Sequence, residues 1–261
     1  MKGYVKVMIA GAVIAAIGLI GFLALLGLNG WNLNPQWETR SYECEQVNDA
    51  VKLDYSLGEV NLQFYDGEKI LIEYPYSEKI QTVFSENDGI VSITSGKRHW
   101  YDVAFWFNFN PPSATIFVPN GLKTDIDAVM NAGELKIADG SYGTVKLYMN
   151  AGAAYFGETA CDSFECRLNA GTVNVKSVEC GTVKTDLNAG YANFEKIVCG
   201  DIYFKLNAGS ADLKIAGAKA EYNISVDKNA GTCNLDGQTG TTDKKLTCKL
   251  NAGSLNASFG D

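Results

Sequence analysis

One histidine, His99, stands among 261 residues that include seven cysteines and 30 acidic side chains. That count excludes multi-histidine metal sites, and any nucleophile–histidine pair away from residue 99. Cys161, Cys180 and Cys199 recur every 19 residues, Cys166 and Cys248 share a second recurrent position, and Cys233 takes a third. Thiols recurring in register form a row, whereas a tetrahedral metal site needs ligands that converge. These six cysteines are therefore read as small apolar side chains facing inward, with a Cys233–Cys248 disulfide left open as an alternative. The acids Glu134, Glu165, Asp186, Asp201 and Asp212 each occupy separate outward columns, while glycoside hydrolysis needs two carboxylates on one site. No phosphate-binding loop, nucleophile elbow or dinucleotide fingerprint is present. We expect no catalytic, cofactor-binding or metal residues, and no enzymatic activity.

A second chemistry-bearing stretch is Lys97 to Phe109, which sets His99, Trp100, Tyr101, Phe105, Trp106, Phe107 and Phe109 beside two basic residues. Aromatic side chains with polar tips are the common anchors of contact surfaces. These seven are the candidate contact for a protein, a glycan or the membrane interface; the alternative is a strand whose aromatics cap the domain that follows.

The element that must position the cysteines is a repeat. Asn-Ala-Gly begins at Asn131, Asn150, Asn169, Asn188, Asn207, Asn229 and Asn251, with spacings of 19 and then 22 residues. Apolar residues fall at fixed places: Leu135, Ala154, Val173 and Ala192 at the fifth, Ile137, Phe156, Val175 and Phe194 at the seventh. Val145, Phe164, Val183 and Ile202 mark the fifteenth, and Met149, Leu168, Leu187 and Leu206 the nineteenth. Two short period-2 strands per repeat cannot bury their apolar faces alone. Stacking does, so the expected fold is all-β, a β-solenoid of 19–22-residue repeats over 131–261. Asn and Gly suit the tight corner between rungs, and stacked Asn amides can form a hydrogen-bonded ladder. Lys146, Glu165 and Lys184, and likewise Arg167, Asp186 and Lys205, alternate in sign up the stack and disfavour a slipped register. The chain stops soon after its last repeat, so the final rung is expected to be an open edge that either a loop covers or a second copy of the chain pairs with.

Residues 45–130 read as a preceding β part, with strands at 51–55, 59–65, 69–74, 81–85, 90–94 and 113–119. Asp66-Gly67 predicts a hairpin between the second and third of these, and Asn87-Asp88-Gly89 another turn. Val7 to Leu28 is 22 residues without a charge, long enough as a helix to cross a bilayer. Lys2 and Lys6 precede it and Arg40 is the first basic residue after it. This places the N-terminal stub 1–6 in the cytoplasm and the chain beyond a 29–44 linker outside, anchored by one pass in the plasma membrane. The net charge is −8. An acidic chain lacks the basic face a nucleic-acid partner requires.

In order along the chain, VKLDYSLGEVNLQFYDGEKILIEY, then TIFVPNGLKTDIDAVMNAGELKI, then short β repeats is an arrangement similar to the adhesin family of bacterial β-strand-repeat proteins. That family is related to the toast-rack domains of Gram-positive envelope-stress membrane proteins. The resemblance covers roughly 45–261 and carries no catalytic residues with it. It implies a membrane-anchored, extracytoplasmic, non-enzymatic adhesin-like or interaction module; the alternative is an accessory or sensory subunit of an envelope-stress complex. No cofactor is expected.

Overall fold

The structure is a computed structural model that describes residues 18–24, 27, 37–56, 58–77, 82–95 and 113–260. The chain forms β1 (Glu38–Glu43), β2 (Ala50–Tyr55), β3 (Gly58–Tyr65), β4 (Leu71–Tyr76), β5 (Thr82–Asn87), β6 (Ile90–Ser95), β7 (Ser113–Pro119), β8 (Thr124–Met130) and β9 (Gly133–Ile137). It continues through β10 (Gly140–Met149), β11 (Ala153–Ala160), β12 (Ser163–Leu168), β13 (Thr172–Leu187), β14 (Tyr191–Leu206) and β15 (Ser210–Ala216). Last come β16 (Asn223–Lys228), β17 (Thr232–Cys233), β18 (Lys245–Leu250) and β19 (Ser254–Gly260), with one short 3-10 turn at Lys219–Glu221.

These strands stack in two ladders. One runs β5, β6, β2, β8, β10, β12, β13, β14, β18, β16. The other runs β1, β4, β7, β3, β9, β11, β13, β14, β15, β19, β17. The 16-residue strands β13 and β14 serve both ladders. Pairing is parallel and in register at 19 residues, so Val145, Phe164, Val183 and Ile202 follow one another up the stack. All sixteen residues of the four apolar positions named above are buried. Between the ladders, Phe156, Phe164, Phe194 and Phe204 meet edge to face at 5.0, 5.9 and 5.3 Å between successive ring centres.

Three features differ from the sequence expectation. The strands flanking Asp66-Gly67 do not form a hairpin, because β7 lies between β3 and β4. Both edges of β3 are taken by parallel neighbours, β7 and β9, so β4 pairs with β7 instead. The parallel stack also extends below Asn131: Ser56 and Gly58 stand at the corner position, with Ala132 N–H donating to the Ser56 carbonyl and Gly58 in register with Gly133. Finally, the C-terminal strand is not the open rung. β19 sits between β15 and β17, and β18 between β14 and β16. The chain leaves Ala216, builds the outer rung first, and returns to fill the gap with its last repeat. A 22-residue spacing supplies the slack for this skip. The outer strand β16 is in turn met by the 234–244 segment, where Ile224 and Gln238 exchange backbone hydrogen bonds.

At the opposite end, antiparallel strands close the stack. Asp88 and Gly89 both take positive φ, 52° and 77°, matching the turn that joins β5 to β6. Tyr42 stacks on Phe84 with ring centres 4.4 Å apart, and Tyr74 meets the same ring at 4.8 Å. Glu86 locks this cap by accepting from Tyr42 Oη (2.7 Å), Glu45 N–H (2.8 Å), Gln46 N–H (3.1 Å) and Asn48 Nδ2 (2.8 Å).

Residues 18–24 and 27 are helical. Among the described residues no helix is long and apolar enough to cross a membrane, and most of the 7–28 run lies outside them.

Desolvation of the Glu86 carboxyl raises its pKa, but the four donors outweigh it and hold the group at about 2, below its ordinary 4.5. The stability this contributes is present above the ordinary range and is lost as pH falls toward 2. Thermal unfolding followed from pH 6 to pH 2 should show this acid-sensitive step, and Glu86→Gln should flatten it. Inside the core, the Thr185 hydroxyl is fully buried without a partner, in the column between Cys166 and Phe204. Thr185→Val should raise unfolding free energy by about 1 kcal/mol in urea titration.

Candidate functional site

Each rung turns twice, and the two corner lines have different chemistry. At the first, glycine after glycine adopts positive φ: 127° at Gly133, 130° at Gly171, 136° at Gly190. A Cβ on Gly190 would lie 2.1 Å from the Gly171 carbonyl oxygen of the rung before, so only glycine fits. That close approach brings the asparagines into contact. Asn150 Nδ2 donates to Asn131 Oδ1 at 2.7 Å, Asn169 to Asn150 at 2.6 Å, and Asn188 to Asn169 at 2.6 Å. Asn207 donates to Asn188 at 2.5 Å, Asn251 to Asn207 at 2.6 Å, and Asn229 to Asn251 at 3.0 Å. All seven asparagines thus join one chain of amides, in the spatial order 131, 150, 169, 188, 207, 251, 229. Each interior member both donates and accepts, and a hydrogen bond in such a chain polarises its neighbours.

The second corner is open. Here the residues after each first strand widen into a groove of about 550 Å³, with Tyr142, Cys161, Cys180, Cys199 and Tyr222 along it. Tyr142 and Tyr222 are fully buried, their hydroxyls donating to the carbonyls of Ala138 (2.7 Å) and Cys199 (2.9 Å). Lys123, paired with Asp162 at 2.6 Å, and Lys244, paired with Glu221 at 2.5 Å, lie at its two ends. Cys180 is in register with Cys199, with Sγ atoms 4.0 Å apart. The single Cys180 S–H has the Cys199 sulfur and the Thr182 carbonyl as alternative acceptors, and the single Cys199 S–H has the carbonyls of Gly181 and Asp201.

The expectation that the cysteines all face inward needs correction. Cys166, Cys199 and Cys248 are buried, but Cys161, Cys180 and Cys233 are only partly so. Cys161 lies between β11 and β12 and Cys180 midway along β13, both lining the groove, which leaves these two members of the row reachable. Among the described residues all seven cysteines are free thiols, Cys233 and Cys248 included. Hydrogen bonding separates the three titrations of the row. The Cys180 thiol stabilises the Cys161 thiolate and lowers its pKa. The same contact pushes Cys180 up to about 12, while contact with Cys180 and burial raise Cys199. Among the described residues no group of three or more histidine, cysteine or acidic side chains is arranged to hold a metal ion.

Outward columns carry charge in register. Lys52, Asp127, Lys146, Glu165 and Lys184 alternate in sign over five successive rungs. Glu165 accepts from both Arg167 (2.7 Å) and Lys184 (3.2 Å), and Lys136 bridges Glu59 and Glu134 at 2.9 and 2.7 Å. Of the acids singled out from the sequence, Glu134, Glu165 and Asp186 have cationic partners, and Asp212 accepts from Tyr191 Oη. The aromatic candidates His99, Trp100, Tyr101, Phe105, Trp106, Phe107 and Phe109 lie outside the described residues.

Two ladders of short parallel strands, locked by glycine corners and presenting rows rather than a convergent cluster, define an all-β stacked-strand domain. The chain belongs to the Toastrack DUF4097 family, whose model matches residues 48–260. Among solved structures it is similar to a "putative cell adhesion protein" from Clostridium sporogenes, at 14% identity and a TM-score of 0.43, over 87% of this chain and 100% of that one. It is also similar to a "putative adhesin" from Parabacteroides merdae, at 13% identity and a TM-score of 0.41, over 86% and 95%. A third, a "putative lipid binding protein" from Parabacteroides distasonis, is 12% identical with a TM-score of 0.27, over 86% and 96%. No curated protein matches the chain.

The amide ladder sets a stability gradient. Asn169→Ala removes two ladder bonds and should cost about 1–2 kcal/mol in urea unfolding, whereas Asn229→Ala at the ladder's end should cost about half as much.

Proposed function

We propose that this chain is a membrane-anchored, extracytoplasmic, non-enzymatic adhesin-like module, and that its stacked strands constitute a β-solenoid. The observation that carries the reading is the outer surface. One column alternates in sign over five rungs, and Glu165 within it pairs with both Arg167 and Lys184, so these charges stand in rows instead of converging on a site where a substrate could react. A surface of this kind offers a long, repetitive contact area, suited to an extended glycan or protein partner at the cell envelope. The uncharged run Val7–Leu28, preceded by Lys2 and Lys6, supplies the anchor and the orientation. Within this reading His99, Trp100, Tyr101, Phe105, Trp106, Phe107 and Phe109 form the partner contact, next in sequence to β6 and β7 at the membrane-proximal part of the chain.

The test is cross-linking of the full chain in living cells, followed by identification of what it captures. Envelope glycan or a surface protein is the expected product. Trp100→Ser combined with Trp106→Ser should reduce capture at least tenfold while leaving thermal unfolding unchanged. Protease added to intact spheroplasts should digest the chain beyond Asn29, and full protection would overturn the orientation. Capture of a sensor kinase or another regulatory membrane protein would favour an accessory-subunit role instead.

A further inference from the structure

The groove at the second corner contains more than packing requires. Three thiols stand one above another on successive rungs, two of them reachable from solvent. Neighbouring strands lie ~4.8 Å apart, inside the ~4.4–6.8 Å range of Cα separations that a disulfide spans. Register pairs Cys180 with Cys199, and their sulfurs are already 4.0 Å apart. Cys161 N–H donates to the Glu179 carbonyl at 2.9 Å, which sets Cys161 beside Cys180 on the next rung, so the middle cysteine adjoins both of the others. The remaining cysteines sit elsewhere: Cys166 and Cys248 in the core, Cys44 buried near the N-terminal cap, and Cys233 on the far outer rung.

We propose that Cys161, Cys180 and Cys199 form a thiol–disulfide exchange relay whose substrate is a low-mass disulfide entering the groove. Cys161 is the attacking group: its thiolate adds to one sulfur of the incoming disulfide, the S–S bond breaks, and the departing thiolate takes a proton from water. Cys180, after losing its own proton to water, attacks the Cys161 sulfur, forms Cys161–Cys180 and releases the second small thiol. Cys199 then attacks Cys180 in the same way, giving Cys180–Cys199 and returning Cys161 to the thiol form. Two protein thiols are oxidised by two electrons, and one small disulfide is reduced to two thiols.

The three roles follow from position. Cys161 is half-buried at the groove, at the end of the row and so next to one thiol only, and the Cys180 thiol beside it lowers its pKa while those of Cys180 and Cys199 are raised. Cys199 is the buried member of the row, with the Tyr222 hydroxyl donating to its carbonyl, so a disulfide ending there is less reachable from the groove than one ending at Cys161. Cys180 must take part in either bond because it alone adjoins both partners. The site differs from the proposed adhesive surface, which uses the outward strand faces and the aromatic segment, and it does not depend on that reading.

The test uses the full reduced chain and glutathione disulfide. After reaction, remaining thiols are alkylated and the peptides mapped by mass spectrometry. The expected product links Cys180 to Cys199, with two glutathione molecules released per chain and Cys44, Cys166 and Cys248 still reduced. Cys161→Ser should slow the reaction about tenfold or more. Cys180→Ser should stop it at a glutathione adduct on Cys161, and Cys199→Ser should leave a Cys161–Cys180 link. Circular dichroism checks that each variant keeps its strands. For the unaltered chain, limiting iodoacetamide should label Cys161 before Cys233, the half-buried thiol outside the row. Equal labelling of Cys161 and Cys233, oxidation spread over all seven cysteines, or an unchanged rate in Cys161→Ser would each overturn the relay.

Discussion

The whole stack depends on one steric constraint, the approach of one rung's corner to the carbonyl of the corner before it. A Cβ at Gly152, Gly171, Gly190 or Gly209 would lie within 2.2 Å of that oxygen, so the corner closes only on glycine. Once closed, it fixes the register of both strands that leave it. Every position in the repeat then becomes a column, and chemistry that would be scattered in a globular fold is collected into rows. The amide ladder, the alternating charges and the thiol row all result from that single contact. Hydrophobic burial drives the stacking, but burial is non-directional and tolerates slippage; the glycine corner does not.

The repeat was legible because two independent periods coincide in it, the 19-residue recurrence of Asn-Ala-Gly and the two-residue alternation of the strands. Where only one period survives, the fold is harder to read. Tyr55, Gly58, Glu59 and Val60 stand in register with Met130, Gly133, Glu134 and Leu135, yet the sequence between Tyr55 and Gly58 has no Asn-Ala. What remains is the glycine, with φ of 124°, and the two in-register glutamates that flank Lys136 at 2.9 and 2.7 Å. That Gly-Glu-apolar remnant is the signal that extends the stack toward the N-terminus. The Asp66-Gly67 turn misleads for a related reason. Local turn chemistry specifies a reversal of direction, but not whether the returning strand finds a free edge beside its predecessor.

Strand order at the far end illustrates a limit of a different kind. Spacing measures how much chain separates two corners and carries no sign. The two 22-residue intervals after Asn207 climb past one rung and then come back, and equal spacings suit a monotonic climb as well. The direction is decided by contacts remote in sequence: the Lys244–Glu221 pair, the Tyr222 ring on Phe259, and the Gln238 bridge to Ile224. These bring the returning segment over the outer rung. They also cover strand edges that would otherwise invite pairing with another chain.

Among the cysteines, the sequence reveals alignment and the structure adds inequality. Identical residues at identical repeat positions would be chemically equivalent in an infinite stack. This stack has ends, and Tyr142 and Tyr222 bound the row above and below. Cys161 has a thiol donor on one side only, Cys180 lies between two thiols, and Cys199 is enclosed. Three copies of one side chain therefore acquire unequal acidities, and Cys199 is buried where Cys161 and Cys180 are only partly so. A row of like groups is poorly suited to acid–base catalysis, which requires unlike groups brought together at one point. It is well suited to passing a bond along, because each member is spaced from the next by the rung rise, and that spacing matches the reach of a disulfide.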